Sequence, residues 1–141
     1  MLIQTRVPGH HAVVCAVAHD YARFVAEELA GRREPAYPPL TRLANVVFSG
    51  LKEDATQQLA TRASERLRRA VASHGTEIQV VGPAPCPIER VKTRWRWHLL
   101  LKSTNPALLT RACRFLVERL DVPKDRSQLR VALDRDPVSL L

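Results

Sequence analysis

From residue 41 onward, two periods of hydrophobic spacing alternate along the chain. Strands are indicated where the sequence is β-rich or alternates, and helices where apolar residues recur every three or four positions. The clearest helix is predicted over 54–73, where Leu59, Ala63 and Leu67 share one face. The predicted order is strand 42–49, helix 54–73, strand 77–81, strand 91–102, helix 105–120 and strand 129–133.

This β-α-β-β-α-β order predicts an α+β domain of the split βαβ, ferredoxin-like type. An antiparallel sheet is then covered by two helices on one face. The Pro-rich stretch 82–87 is expected to be a crossing between the second and third strands. Asn105-Pro106 is a strong helix start, because it combines a cap with proline at the first helical position.

The first part of the chain differs from the rest. A short strand over 2–7 and a short helix over 10–18 are predicted, then a second helix from the cap Asp20 to about Gly31. Prolines 35, 38 and 39 prevent its continuation and place a boundary within 33–39. We therefore predict two domains, 1–37 and 38–141, and expect that a further portion of the protein precedes Met1.

Composition narrows the function classes. The chain has 22 Lys and Arg against 14 Asp and Glu, a net charge of +8, which points to a polyanionic partner. At 45% hydrophobic it can form a core, and its longest apolar run, 12–18, is too short to span a membrane. Three widely spaced cysteines without a CxxC pair favour reduced thiols in a cytoplasmic protein, and the histidines lack a third metal ligand.

The most informative segment is 90–102, which contains no acidic residue and both tryptophans of the chain. If it is one strand, alternation places its basic side chains on one face, about 6.6 Å apart, and its apolar side chains on the other. Such a basic row suits a phosphate backbone or an acidic peptide. The candidate binding residues are Arg90, Lys92, Arg94, Trp95, Arg96, Trp97, His98 and Lys102.

Simpler interpretations remain open for the same segment. The tryptophans share a face with Leu99 and Leu101, so they could belong to the core rather than stack on bases. The basic row could be a solvated face, or could pair with acids such as Asp134 or Asp136. No phosphate-binding loop, dinucleotide fingerprint or nucleophile elbow is present, so we predict no catalysis by this chain alone.

Three ordered blocks resemble the C-terminal end of the PriA family of bacterial replication-restart helicases (primosomal protein N′). The blocks are Leu2-Ile3-Gln4-Thr5 through Tyr37-Pro38-Pro39, Val81-Gly82-Pro83-Ala84-Pro85 through Leu101-Lys102, and Asp134-Arg135-Asp136-Pro137-Val138. Together they cover nearly the whole chain.

The resemblance implies that residues 1–37 end the second helicase lobe and that the remainder has a fold similar to ribosomal protein S10. PriA-like proteins bind branched DNA, translocate 3′→5′ with ATP and restart replication with other primosome proteins in the bacterial cytoplasm, at the nucleoid. Their C-terminal domain contributes to DNA binding and helps hold the acidic tail of single-stranded DNA-binding protein (SSB). The ATP and zinc sites of the family would lie upstream of Met1, so no cofactor is expected in this chain.

Carried over by position, the family's Arg at the start of its basic-aromatic strand falls on Arg94, and its usual Gln falls on His98. A neutral histidine can still donate one hydrogen bond, although its geometry differs from that of an amide. The resemblance predicts a DNA- and SSB-binding module of a helicase. The alternative is an RNA-binding module of ribosomal S10-like type, suggested by the strand order and the basic charge.

Overall fold

The computed structural model describes residues 2–34, 37–120 and 128–137. Pro35 of the predicted boundary and Val138 of the third sequence block lie outside these residues. The chain divides into two compact units, Met1–Ala36 and Tyr37–Leu141. The elements are α1 (His11–Ala18), α2 (Tyr21–Arg33), β1 (Arg42–Gly50), α3 (Glu53–His74), β2 (Gln79–Val91), β3 (Arg94–Ser103), α4 (Pro106–Arg119) and β4 (Leu129–Arg135).

The first unit is a pair of short helices. The Asp20 side chain caps α2 by accepting a hydrogen bond from the Arg23 backbone N–H at 3.0 Å, as the sequence predicted. Between the helices, His11 Nε2 lies 3.1 Å from a Glu28 carboxylate oxygen. The strand predicted over 2–7 is wrong: these residues form no strand, because no described segment pairs with them. The assignment of this unit to a helicase lobe stays a prediction.

The second unit is a four-stranded antiparallel sheet in the order β2-β3-β1-β4. This arrangement confirms the predicted α+β fold with the split βαβ order. Val46 of β1 pairs with Leu99 of β3 on one side and Leu133 of β4 on the other. Both α3 and α4 pack on the face that carries Val46, and the core between them includes Phe48, Leu59, Leu67, Leu99, Leu101 and Leu109.

Local signals fix the ends of both packed helices. Gly75 ends α3 with φ +56°, the left-handed conformation that glycine adopts without strain. Asn105 begins α4, and its side-chain oxygen accepts hydrogen bonds from the N–H groups of Ala107 and Leu108. Pro106 occupies the first helical position, as predicted.

The Pro-rich stretch was predicted to cross between strands, and this is wrong. It lies within β2, an edge strand that runs from Gln79 to Val91. Prolines at every second position, 83, 85 and 87, are compatible with this strand because an edge strand need not donate on its outer side. The pairing of β2 with β3 shifts register twice, once next to Gly82 and once opposite Arg96.

Glycine is required at the first register shift. Gly82 has φ +99°, and a Cβ placed there would lie 2.9 Å from the His98 backbone oxygen. A side chain would therefore push the edge strand away from β3. This close approach fixes the position of β2 beside the middle of β3.

Candidate functional site

The predicted basic strand is interrupted by a hairpin turn. The structure ends β2 at Val91, turns at Lys92 and Thr93, and begins β3 at Arg94. Both turn residues have positive φ, 46° and 67°, as a two-residue hairpin turn requires. The single strand predicted over 91–102 is therefore wrong at its start, because no Gly or Asn marks the turn in the sequence.

The hairpin splits the predicted basic row. Arg90 lies directly opposite Trp95, so it shares the face of the tryptophans, and its guanidinium carbon lies 5.2 Å from the Trp95 ring centroid. Lys92 lies at the tip. Only Arg94, Arg96 and His98 remain in one alternating row along β3.

We call this side of the sheet the open face: it is the side opposite α3 and α4. It carries Arg94, Arg96, His98, Leu100 and Lys102 from β3 and Asn45, Val47 and Ser49 from β1. Ser49 lies opposite Arg96 and Val47 lies opposite His98. The row thus crosses the middle of the sheet rather than its edge.

Two arginines of the open face are held by backbone oxygens. Arg94 donates from Nη2 to the carbonyls of Ser49 at 3.1 Å and Gln128 at 3.2 Å. Arg96 donates from Nη1 to the Ile88 carbonyl at 3.4 Å, across the second register shift of β2. Each of these bonds orients a guanidinium group toward a backbone carbonyl.

His98 and Asn45 contribute unsatisfied polar atoms to the same face. Within the described residues, His98 Nδ1 and Asn45 Oδ1 are buried and have no hydrogen-bond partner. Burial, assisted by the positive charge of Arg96, lowers the pKa of His98, which is therefore neutral at pH 7. Buried polar atoms without partners are uncommon in proteins, so the pair marks a position where a polar ligand atom would be accommodated.

Sequence reasoning missed Asn45, which is only 5% exposed. The available signal was an amide between Ala44 and Val46 in a strand that is otherwise largely apolar. On the face opposite the helices, that amide lies diagonally across from His98.

The tryptophans belong mainly to the packing of the sheet. Both are half-buried, and Trp97 packs against the hydrophobic core on the helical side. Trp95 lies beneath Arg90 at the hairpin. Neither side chain lies on the open face, so they do not flank Arg94 and Arg96.

Lys102 lies at the other end of β3. Its Nζ is 4.3 Å from the ring centroid of Tyr37. Four residues separate it from His98, about 13 Å along a strand. The structure thus places Lys102 apart from the group formed by Arg94, Arg96 and His98.

The two aspartates considered as partners of the basic row form no ion pair with it in the described part of the chain. Asp136 accepts a hydrogen bond from the Leu43 N–H at 3.2 Å and lies 3.5 Å from Arg42. Asp134 lies on the open face, directly opposite Asn45 of β1, and its side chain makes no hydrogen bond or ion pair with another described residue. Neither aspartate therefore neutralises Arg94 or Arg96.

The side chains of the described residues do not meet the requirements of a metal site. In residues 2–34, 37–120 and 128–137, no group of three or more His, Cys, Asp or Glu side chains could hold a metal ion. The cysteines are buried and unpaired, and burial raises the pKa of Cys86 and Cys113. No described helix has both the length and the apolar composition needed to cross a bilayer.

The second unit is a small α+β module whose open face carries the basic residues Arg94, Arg96 and Lys102. A family model, that of the primosomal protein N C-terminal domain, matches residues 33–138. The chain belongs to this family, which confirms the resemblance found in the sequence.

Relatives match along the full length of the chain. Replication restart protein PriA of Bacillus subtilis (strain 168) is 27% identical over 141 residues, which are 100% of this chain and 17% of the relative. The protein of the same name from Treponema pallidum (strain Nichols) is 33% identical over 141 residues, 100% of this chain and 20% of that one. The protein of the same name from Chlamydia trachomatis serovar D is 30% identical over 139 residues, which are 99% of this chain and 18% of that relative. The chain therefore spans about one fifth of the length of these relatives.

Among solved structures, a hydantoinase/carbamoylase family amidase from Burkholderia ambifaria is similar over a region that covers 67% of this chain and 27% of the amidase chain. The TM-score is 0.46 and the sequence identity 15%. A likeness of this size defines neither fold nor function.

Proposed function

We propose that this chain is the DNA- and SSB-binding C-terminal module of a bacterial replication-restart (primosomal) helicase, acting in the cytoplasm at the nucleoid. The observation that carries the proposal is the charge of the hairpin and of β3. Residues 90–102 contain five Lys and Arg side chains and no acidic one. Family membership supports the same assignment, as does the function that the name of the relatives, replication restart protein PriA, states.

DNA binding would begin at the hairpin tip. Arg90 and Lys92 are exposed and make no ion pair among the described residues. Phosphate groups could therefore approach them without displacing a carboxylate. Arg94 and Arg96 would continue the contact along the open face, where their planar guanidinium groups can pair bidentately with phosphate.

The acidic SSB tail would use the middle of the open face. Arg94 would pair with a carboxylate of the tail, and the unsatisfied atoms of His98 and Asn45 would accommodate its polar backbone groups. An apolar tail residue needs a hydrophobic surface nearby. Val81, which is 40% exposed and lies opposite Leu100, supplies it in place of the tryptophans.

The test compares two double variants with equal loss of charge. Arg94→Ala/Arg96→Ala removes the basic row, and Arg62→Ala/Arg69→Ala removes two exposed charges from α3 on the other side of the sheet. Labelled fork DNA and an SSB-tail peptide are titrated against each. We expect the first variant to bind both ligands more weakly. For duplex DNA, the slope of log K against log salt concentration should also become shallower by about 0.9 for each phosphate contact that is lost. Equal affinities for both variants would reject the open face as the binding surface.

Arg94 also holds backbone groups of β1, so a fold-independent variant is needed. Arg90→Ala/Lys92→Ala alters only the exposed hairpin. This variant should bind fork DNA more weakly and should bind the SSB-tail peptide with unchanged affinity, so the two ligands can be distinguished. Thermal melting of every variant verifies that the fold is intact.

The ribosomal alternative makes an opposite prediction. A module of that type would prefer structured RNA over single-stranded DNA at matched salt. We expect the DNA preference instead, measured by competition for the labelled fork. ATP-driven translocation and contacts with other primosome proteins are proposed for the whole protein and not for this chain alone.

A further inference from the structure

On the helical side of the second unit, α3 and α4 are separated by a groove with a volume of about 310 Å³. Its floor is apolar and includes Leu67, Val71, Ile78, Leu108, Ala112 and Phe115. Val71, Ile78, Leu108 and Phe115 are only half-buried, so the groove presents hydrophobic surface to solvent. It lies on the opposite side of the sheet from the open face.

The rim of this groove is basic. The described residues that line it include Arg111, Arg114 and Arg119, with Glu118 as the only acidic one. Arg111 and Arg114 are exposed, and neither makes a hydrogen bond or an ion pair with any residue in the described part of the chain. Both cations belong to α4, so they border the apolar floor on its α4 side, without a partner of opposite charge among the described residues.

One end of the groove is held together by a contact between the two helices. Arg66 of α3 donates a hydrogen bond to the Arg119 backbone carbonyl at the end of α4. This bond satisfies a terminal carbonyl of α4 and links it to α3. The groove therefore has a fixed end and a preformed shape.

We propose that this groove docks an amphipathic helix of a partner protein, with acidic residues along the side of its apolar stripe that faces α4. Such a helix would place apolar side chains at i, i+3 or i+4, and i+7 on the floor. Its carboxylates would pair with Arg111 and Arg114. Since α4 has 14 residues and is about 21 Å long, a partner helix of about four turns would cover the groove.

A nucleic acid is the less suitable occupant. Phosphates would use the arginines but would leave the apolar floor exposed to water. A helix with both features matches the floor and the rim together. The surface is also separate from the one proposed for DNA, so both ligands could bind at once.

The direct test uses a designed probe. A fluorescein-labelled 18-residue helical peptide with leucines on one stripe and glutamates along one flank of that stripe is titrated by anisotropy, beside a scrambled peptide of the same composition. We expect saturable binding of the first peptide and at least tenfold weaker binding of the second. Equal binding of the two would overturn the proposal, because recognition would then not require a helical stripe.

Charge reversal tests the rim. We expect Arg111→Glu/Arg114→Glu to lower the affinity for the acidic peptide by about tenfold or more. A peptide with lysines in place of the glutamates should regain affinity for that variant. The control Arg62→Glu/Arg69→Glu changes the net charge equally on α3, outside the groove lining, and should have little effect. Equal weakening by both pairs would show general attraction by charge and would reject the groove.

Two further measurements keep the interpretation specific. Arg111→Gln/Arg114→Gln, a milder change, should weaken the peptide in the same direction if the reversed variant proves unstable. Fork DNA is then added as competitor. Displacement of the peptide by DNA would overturn the proposal in favour of a nucleic-acid site, whereas simultaneous binding supports a separate protein-docking groove.

Discussion

The position of the edge strand beside His98 depends on one glycine, and a substitution there measures how tightly β2 is held. Gly82→Ala introduces a Cβ at a residue with φ +99°, 2.9 Å from the His98 backbone oxygen. Gly75→Ala is a matched control, because Gly75 also has positive φ, +56°, but no atom lies within 4 Å of the added carbon. Both substitutions carry a backbone cost, and only Gly82→Ala adds a steric one.

The magnitudes follow from these two contributions. An L-residue in the left-handed region costs about 1–2 kcal/mol, which is the whole effect expected for Gly75→Ala. Overpacking against a fixed backbone adds about 1–3 kcal/mol, so Gly82→Ala should cost about 2–5 kcal/mol. With a urea m-value of about 1.5 kcal/mol per molar, the midpoints should fall by about 1 M and about 1–3 M respectively.

Tryptophan fluorescence in urea is the suitable assay. The only two tryptophans of the chain, Trp95 and Trp97, both lie in β3 of the second unit. The emission therefore reports the unfolding of the sheet that contains Gly82. Equal midpoint shifts for the two variants would refute the reasoning, since β2 would then move away from His98 at no cost.

Substitutions at four further positions test the core, the cap of α4, the hairpin turn and the half-buried His98. Leu101→Ala removes a fully buried core side chain and should cost about 2–5 kcal/mol in urea unfolding; a loss below 1 kcal/mol would contradict the described packing. Asn105→Ala should cost about 0.5–2 kcal/mol by removing the cap of α4, whereas Asn105→Asp should retain most of the stability. Thr93→Gly should raise stability by about 1 kcal/mol, because glycine adopts φ +67° without strain; a loss would argue against the turn. His98 has a pKa in the folded protein below the ordinary 6.5, so the unfolded chain takes up the proton first as the pH falls. The stability gained from neutral His98 should therefore be lost progressively as the pH drops below about 6.5, and urea midpoints of His98→Gln at pH 5 and pH 7.5 should differ less than those of the wild type.

Local signals allowed the element order of the second unit to be predicted from the sequence. Asn105-Pro106 and Gly75 are strong signals for the start and the end of a helix, because capping depends on the conformation and hydrogen bonds of only one or two residues. The apolar spacing of α3 likewise depends only on the helix itself. These features were confirmed to within a residue or two.

Features that depend on distant contacts were not predictable in this way. The prolines at 83, 85 and 87 were interpreted as a crossing, because the sequence does not show that their strand lies at an edge. Lys92-Thr93 adopts a turn without the Gly or Asn that usually marks one, so the chain reversal was missed. Residues 2–7 have the composition of a strand, but a strand also needs a neighbour.

The candidate site was predicted only in its central part. Alternation along one strand correctly placed Arg94, Arg96 and His98 in a row. The same argument placed Arg90 on the wrong face, since the hairpin reverses the chain between Arg90 and Arg94. Asn45 was missed because its relation to His98 exists only once β1 and β3 are paired.

The prolines of β2 also limit how this module can associate with others. An extended peptide that approached the free edge of β2 could not accept hydrogen bonds from the three prolines, which lack an N–H group. The register of β2 with β3 also shifts twice, so its edge is irregular. Continuous sheet extension is blocked there, whereas β4 contains no proline between residues 129 and 135. Copies of this module are therefore hindered from joining through this edge into one extended sheet.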